Sequence, residues 1–316
     1  MKLVIQIPCL NEEATLPATL ADLPKKVPGF GTVEVLVIDD GSTDRTAEVA
    51  RQAGADHVIS LGTRRGLAFA FQRGLEESLS LGADVVVNTD ADNQYCGQDI
   101  PLLVAPILQK QADLVVGCRP IANHPEFSWI KKLLQGVGSW TLRVLSQTSV
   151  RDAASGFRAY SRETCLRLFL YSRFSHCMET LIQAGNCGLR VFSVEVRVNP
   201  QTRPSRLFRS IPEYLFRSGF TMLTMFLLYR PLEFFFSLAS VFFLLAGLVA
   251  ARFVFLIYFL DTPEIGRTHL PSLIFMAILA ICGFILLALG LLGALIRNQR
   301  RLAEESLFIL RQSSRS

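Results

Sequence analysis

Two uninterrupted apolar runs near the carboxyl end constrain this chain more than any other feature. Phe234 to Ala251 is a stretch of 18 residues without a charge that continues past Arg252 through FVFLIYFL, and Leu270 to Ile296 supplies another 27. Crossing the hydrocarbon core of a bilayer takes about 20 apolar residues in a helix. Both runs are long enough, and both exceed what the core of a soluble domain requires. Only nine residues, DTPEIGRTH, separate them. The expectation is a transmembrane hairpin, with helices over about 232–260 and 270–296, that returns the chain to the side from which it entered.

The flanks set the expected orientation. Arg203, Arg206, Arg209, Arg217 and Arg230 precede the hairpin and Arg297, Arg300, Arg301, Arg311 and Arg315 follow it, whereas the connecting loop carries only Arg267 against Asp261 and Glu264. The excess of arginine on the outer flanks predicts that both chain ends face the cytoplasm. MKLVIQIPCLNEE has too short an apolar stretch for a signal peptide. The expected organisation is therefore a cytoplasmic domain over 1–202, amphipathic interface helices over 203–230, a two-span hairpin over 231–297 and a cytoplasmic tail over 298–316. In a bacterium the membrane would be the plasma or inner membrane. The seven cysteines form no CxxC pair and read as packed free thiols in a reducing compartment. With four histidines, none at ligand spacing from a cysteine, a zinc site is not expected. The net charge of +5 is carried in part by arginines beside the membrane, which suits anionic headgroups and argues against a nucleic-acid partner.

Ahead of the hairpin, short β-rich runs alternate with helical patterns. LVIQI at 3–7 precedes a helix from about Glu12, VEVLVID at 33–39 a helix from Asp44, and HVIS at 57–60 a helix over 66–81, with DVVVNT at 84–89 and DLVVGC at 113–118 continuing the series. Strands that are apolar throughout and alternate with helices predict an α/β fold, a mainly parallel sheet covered on both faces. Such sheets bind ligands at the carboxyl ends of their strands. Three of those ends carry unusual residues: PCLNEE, DDGSTD and DADNQ.

In DDGSTD, Ser42, Thr43 and Asp44 are ordinary helix-capping residues. Capping accounts for Asp44 and poorly for Asp39 and Asp40, because two adjacent carboxylates need donors; the edge of a nucleoside base or ribose is a candidate. In DAD, alternation along an extended chain aims Asp90 and Asp92 the same way, where they can converge on one hard divalent cation, magnesium or manganese. A cation held there could neutralise a diphosphate leaving group.

DDGSTD, DAD followed by NQ, SGFRAY at 155–160 and METLI at 178–182, in this order and ahead of a two-helix hairpin, resemble glycosyltransferase family 2 with the GT-A fold. Within it the chain is most similar to the polyprenyl-phosphate glycosyltransferases, the group that includes dolichyl-phosphate mannose synthase. The resemblance implies that Pro8, Asn11, Glu12, Asp39 and Asp40 hold the nucleoside of a nucleotide sugar, with Arg65 and Gly66 beside it. It implies that Asp90, Asp92 and Gln94 hold the metal and the donor diphosphate.

A lipid phosphate acceptor is already anionic and attacks without a general base, so the acceptor side needs cations rather than a proton acceptor. Arg119, Lys131, Lys132 and Arg158, together with Arg203, Ser205 and Arg206 in RPSR, are the candidates for clamping that phosphate or the donor diphosphate. Glu179 and Asp152 are candidate acids on the acceptor side, either as a base or as partners that position Arg and Lys. SRLFRSIPEYLFRSGF at 205–220 has the pattern of helices lying in a membrane interface. The expected activity is inverting, metal-dependent transfer of a hexosyl unit from a UDP- or GDP-sugar to undecaprenyl or dolichyl phosphate. A processive synthase would carry QxxRW, and neither Trp129 nor Trp140 follows an arginine. A non-catalytic scaffold is the reading from another class, and the intact acids weigh against it. Gly283, Gly290 and Gly293 offer small contact points through which the hairpin could form a homo-oligomer.

Overall fold

A computed structural model describes residues 1–119, 150, 152–170, 176–200, 219–220, 223–224, 226–259 and 270–313. The chain divides into two compact units, Met1–Arg209 with Glu304–Ser316, and Ser210–Ala303.

The first unit is an α/β domain. Its elements run β1 (Lys2–Cys9), α1 (Leu16–Asp22), β2 (Thr32–Asp39), α2 (Thr46–Gln52), β3 (His57–Ser60), α3 (Leu67–Ser80), β4 (Val85–Asn88), α4 (Ile100–Leu108), β5 (Leu114–Cys118), β6 (Arg158–Ser161), α5 (Arg162–Arg167), α6 (His176–Asn186) and β7 (Val191–Glu195). Among the described residues the sheet order is β3-β2-β1-β4-β6-β5-β7. All neighbours pair parallel except β6, which is antiparallel to both β4 and β5. β1, β4 and β5 are buried almost throughout, as expected for central strands packed on both faces. The core gathers Leu3, Ile5, Ile7, Val37, Val85, Val87 and Val115 with Leu16, Ile100, Leu103 and Phe157.

The mainly parallel sheet agrees with the sequence, and several local features differ from it. The first helix starts at Leu16 rather than near Glu12: Glu12 instead closes a turn, its carbonyl accepting from the amides of Thr15 and Leu16, and Pro17 sets the first helical turn. β7 was not anticipated, and neither was β6. Because it runs antiparallel, with Arg158 opposite Asn88 and Val116, its amino end lies at the same edge of the sheet as the carboxyl ends of β4 and β5.

The last turns of the long final helix also belong to this unit. There Arg311 donates to the carbonyls of Leu168 at 3.1 Å and Leu166 at 3.4 Å, pairs with Glu76 at 3.4 Å and stacks over Phe169, while Arg167 lies over the ring of Phe308.

The second unit contains two long helices, α7 (Pro231–Phe259) and α8 (Leu270–Ser313), the latter continuing beyond it. Both are long and apolar enough to cross a membrane, and only 6% and 17% of their most apolar windows are buried, unlike the core helices of a soluble protein. They pack on each other through the glycines. A Cβ on Gly283 would meet Phe243 at 2.9 Å, one on Gly290 would meet Phe235 at 3.0 Å, and one on Gly293 would meet Pro231 at 2.6 Å. Within one chain these glycines lie where the two helices approach each other closely. Beyond the apolar stretch, Arg300 lies 4.3 Å from the ring centroid of Tyr229.

Candidate active site

The strand order explains how distant motifs meet. β2, β1 and β4 are neighbours and parallel, so DDGSTD, PCLNEE and DADNQ emerge side by side from one edge of the sheet. The first two loops are laced together. Asn11 adopts a left-handed conformation, φ 55°, which asparagine tolerates; its amide donates to Ser42 Oγ at 2.9 Å and its side-chain oxygen accepts from Thr43 N at 2.8 Å. Glu12 N donates to Thr46 Oγ1 at 2.8 Å, and the Glu12 carboxylate accepts from Thr15 Oγ1 at 2.7 Å. Pro8 is a buried strand residue in register with Ile38.

The adjacent carboxylates of β2 have donors in the chain itself. Asp39 accepts from Ser42 N and Ser60 Oγ, both at 2.9 Å. Asp40 accepts from the amides of Arg65 at 2.7 Å and Gly66 at 2.8 Å, tying the start of α3 to the end of β2. Both acids are 3% exposed. The repulsion that seemed to call for a ligand is therefore met by backbone and hydroxyl donors. Arg65 is exposed and lies over Phe69.

DADNQ leaves β4 as a tight turn in which Asn93 has φ 56°. Gln94 N donates to Asp92 Oδ1 at 3.2 Å. Asn199 clamps the turn from the far side, its side-chain amide donating to Asn93 O at 3.1 Å and its backbone amide to Gln94 O at 2.8 Å. Thr19 Oγ1 donates to Ala91 O at 3.0 Å. Burial first, and then the neighbouring Asp92 charge, push Asp90 up to about 7. Among the described residues no group of three or more His, Cys, Asp or Glu side chains that could hold a metal gathers, and Asp90 and Asp92 are a pair of carboxylates that could hold one. A buried carboxylate beside a second acid suits a hard cation whose remaining ligands are water and substrate phosphate.

Arg119 follows β5. It is 32% exposed and makes a two-point pair with the 3% exposed Asp152, Nε to Oδ2 at 2.7 Å and Nη2 to Oδ1 at 3.1 Å. Burial works most strongly against its charge, and the hydrogen bond to Asp152 together with the nearby charges of Tyr95, Asp152 and Asp90 outweighs it and raises its pKa. Asp152 therefore orients Arg119.

Two expectations are revised by position. Arg158 is fully buried and donates to the carbonyls of Ala153, Ser155 and Cys177 and to Thr180 Oγ1 at 2.7 to 2.8 Å; it cannot reach an acceptor phosphate. Glu179 is fully buried within α6, where its carboxylate lies 3.4 Å from Gln183 Nε2. It occupies the domain interior rather than an open acceptor face. Lys131, Lys132, Arg203, Ser205 and Arg206 lie outside the described residues, as do residues 205–218 of the interface pattern.

The sequence reading passed over several residues that shape the site. Gly156 lies against Asp90: a Cβ there would fall 2.8 Å from Asp90 Oδ1. Its amide donates to Tyr95 Oη at 3.2 Å and its carbonyl accepts from Asn88 Nδ2 at 2.8 Å, while Asn88 Oδ1 accepts from Gln6 Nε2 at 3.0 Å. The available signal was a pair of amides, Gln6 and Asn88, in strands that are otherwise apolar.

Known proteins resemble this chain in sequence and in fold. Residues 4–169 match the model of the glycosyl transferase family 2. An uncharacterized glycosyltransferase of Mycobacterium tuberculosis is 37% identical over 199 residues, 63% of this chain and 85% of that protein. The undecaprenyl-phosphate mannosyltransferase of Micrococcus luteus is 33% identical over 170 residues, 52% of this chain and 68% of the relative. In fold, the chain is similar to the glucosyl-3-phosphoglycerate synthase of M. tuberculosis crystallised with Mn2+, UDP and glucosyl-3-phosphoglycerate, at a TM-score of 0.54 and 23% identity over 72% of this chain and 78% of that one. The matched segment takes in the three strand-end motifs and the SGFR loop, and this chain belongs to glycosyl transferase family 2.

Proposed function

We propose that this glycosyltransferase moves a hexosyl unit from a UDP- or GDP-sugar to a polyprenyl phosphate, undecaprenyl or dolichyl, with inversion and with a divalent cation. The observation that carries the reading is the placement of the Asp90–Asp92 pair, after β4, and the Arg119–Asp152 pair, after β5 and before β6, at the same edge of the sheet with only β6 between β4 and β5, one pair suited to a metal-bound diphosphate and the other to an anionic acceptor. The similarity to a mannosyltransferase named for undecaprenyl phosphate supports the acceptor class.

In this reading Asp90, Asp92 and Gln94 hold magnesium or manganese. When bound, the cation supplies Lewis-acid stabilisation of the diphosphate. The loops around Pro8, Asn11, Glu12, Asp39, Asp40, Arg65 and Gly66 receive the nucleoside. Arg119, oriented by Asp152, holds the acceptor phosphate by its free guanidinium edge, with Lys131, Lys132, Arg203, Ser205 and Arg206 as further phosphate contacts. A phosphate oxygen forms the new bond to the anomeric carbon as the bond to the diphosphate oxygen breaks. No proton has to be removed from the acceptor, so neither Glu179 nor Asp152 acts as a base. α7 and α8 cross the membrane with both chain ends in the cytoplasm, and the interface pattern before them brings lipid headgroups to the domain.

The test is transfer from labelled UDP- and GDP-sugars to undecaprenyl phosphate in detergent, with manganese, magnesium or a chelator. Metal-dependent, lipid-soluble product from one donor is the expected result. Turnover with a different acceptor, or none with any donor, would overturn the assignment of the acceptor.

A further inference from the structure

We infer that Arg158 is a positioning residue, which fixes the spacing between the metal-side carboxylate Asp90 and the phosphate-side Arg119 by holding segment 152–157 as one rigid bridge. The inference rests on the proposed reading of those two groups. Both ends of the bridge are on the site. At one end Asp152 carries Arg119 by a two-point pair. At the other, Gly156 forms the wall against which the Asp90 carboxylate packs, with room for no Cβ.

Between them, Arg158 fastens the bridge from below. Nη2 takes Ala153 O and Nε takes Ser155 O, both at 2.8 Å, while Nη1 reaches Cys177 O at 2.7 Å and Thr180 Oγ1 at 2.8 Å on α6. Among the described residues these acceptors are neutral. Burying a guanidinium is costly unless its donors are satisfied, and a planar fork with fixed donor directions satisfies them only in one arrangement of the loop. The same side chain thus links the loop to α6 and sets the loop's curvature. Asn88 and Tyr95 hold Gly156 from the sheet side, so the wall behind Asp90 has support from two directions.

A lysine at this position keeps the charge and loses the fork. Arg158→Lys is expected to raise the Kd for Mn2+ alone by about tenfold, the range seen when groups that orient metal ligands are changed. Turnover per folded molecule should fall by more than the metal term, because Arg119 moves as well. Should Arg158→Lys fail to fold, Thr180→Val removes one acceptor on α6 with little change in shape, and it should raise the same Kd by about threefold. Mn2+ binding is read by electron paramagnetic resonance on the detergent-solubilised full chain, with thermal unfolding alongside. Weaker Mn2+ binding in variants whose unfolding midpoint stays near the wild-type value supports the inference. Unchanged Mn2+ affinity and unchanged turnover per folded molecule would overturn it. If the wild type binds Mn2+ and the variants bind it weakly, yet no donor is turned over, the positioning role stands and only the transferase reading of the acceptor fails. Absence of Mn2+ binding in the wild type would remove both.

Discussion

Arg119 and Asp152, 33 residues apart in sequence, meet through two hydrogen bonds of 2.7 and 3.1 Å in which a 3% exposed carboxylate holds a guanidinium that remains 32% exposed. The asymmetry of exposure matters. Asp152 holds its charge inside the domain, and Arg119 stays part-exposed.

Removing the two partners should therefore have unequal effects. Arg119→Ala leaves Asp152 buried without its cation. Breaking a fully buried pair from one side costs about 3 to 5 kcal/mol, and partial exposure of Arg119 lowers that to about 2 kcal/mol here. Asp152→Asn keeps one acceptor for the guanidinium and should cost about 1 kcal/mol. Its activity loss should be larger than its stability loss implies, because Arg119 is no longer held in plane. Urea unfolding together with transfer rates at saturating and limiting lipid phosphate checks both, and equal stability losses would contradict the asymmetry.

The pH dependence of stability should hide two opposed contributions. Asp90 rises to about 7, through burial and then Asp92, so the folded state holds a proton that the unfolded state has released. Its contribution is present at low pH and is lost as pH climbs from about 4 to 7. His176 is stacked on Phe71 with centroids 4.3 Å apart, and burial lowers it to about 3. The folded state then lacks a proton that the unfolded state binds, so that contribution is lost as pH falls below about 6.5. Each slope approaches about 1.4 kcal/mol per pH unit, with opposite sign. Without metal, Asp90→Asn should leave stability rising with pH from about 4 to 6.5, and His176→Phe should leave it falling over that window. Parallel profiles for the two variants would refute the assignment.

Gly41 combines a left-handed backbone, φ 76°, with a site where a Cβ would lie 2.6 Å from Thr63 C and 2.7 Å from Arg64 N. Gly41→Ala should cost about 2 to 3 kcal/mol from strain and displacement together. The displaced backbone leads directly into the Arg65 and Gly66 amides that bind Asp40. UDP affinity, measured by calorimetry on the folded fraction, should fall with it. An alanine variant with wild-type stability and affinity would show that the loop yields freely.

The legibility of the sequence had physical limits that particular residues mark. β1 and β4 stood out because strands buried on both faces are almost continuously apolar, and the carboxyl ends of β1, β2 and β4 were recognisable by the acids at or just beyond them. β6 did not, because Arg158 begins it and its antiparallel placement between β4 and β5 is a tertiary fact without a local pattern. The donors to Asp40 are backbone amides 25 and 26 residues away, and a backbone amide has no letter in the sequence. Gly283, Gly290 and Gly293 read as small contact points, and small residues do not state whether the helix they meet lies in the same chain or in another.

Arg311 gives the last expected outcome. α5 ends at Arg167, and the final carbonyls of a helix have no partners within it. Arg311 donates to two carbonyls at that end, Leu166 O at 3.4 Å and Leu168 O at 3.1 Å, and pairs with Glu76 of α3 at 3.4 Å. A cation at a helix carboxyl end also meets the negative end of the helix dipole. Arg311→Ala should therefore destabilise the first unit by about 1 to 2 kcal/mol, with faster amide hydrogen exchange concentrated in 166–170 and the neighbouring turns of α3. Arg311→Lys should recover part of this, since an ammonium can serve one carbonyl or Glu76 but lacks the fork to serve them together. Exchange that rises uniformly across the domain, or full recovery by lysine, would assign the contact to general surface charge instead of to the end of α5.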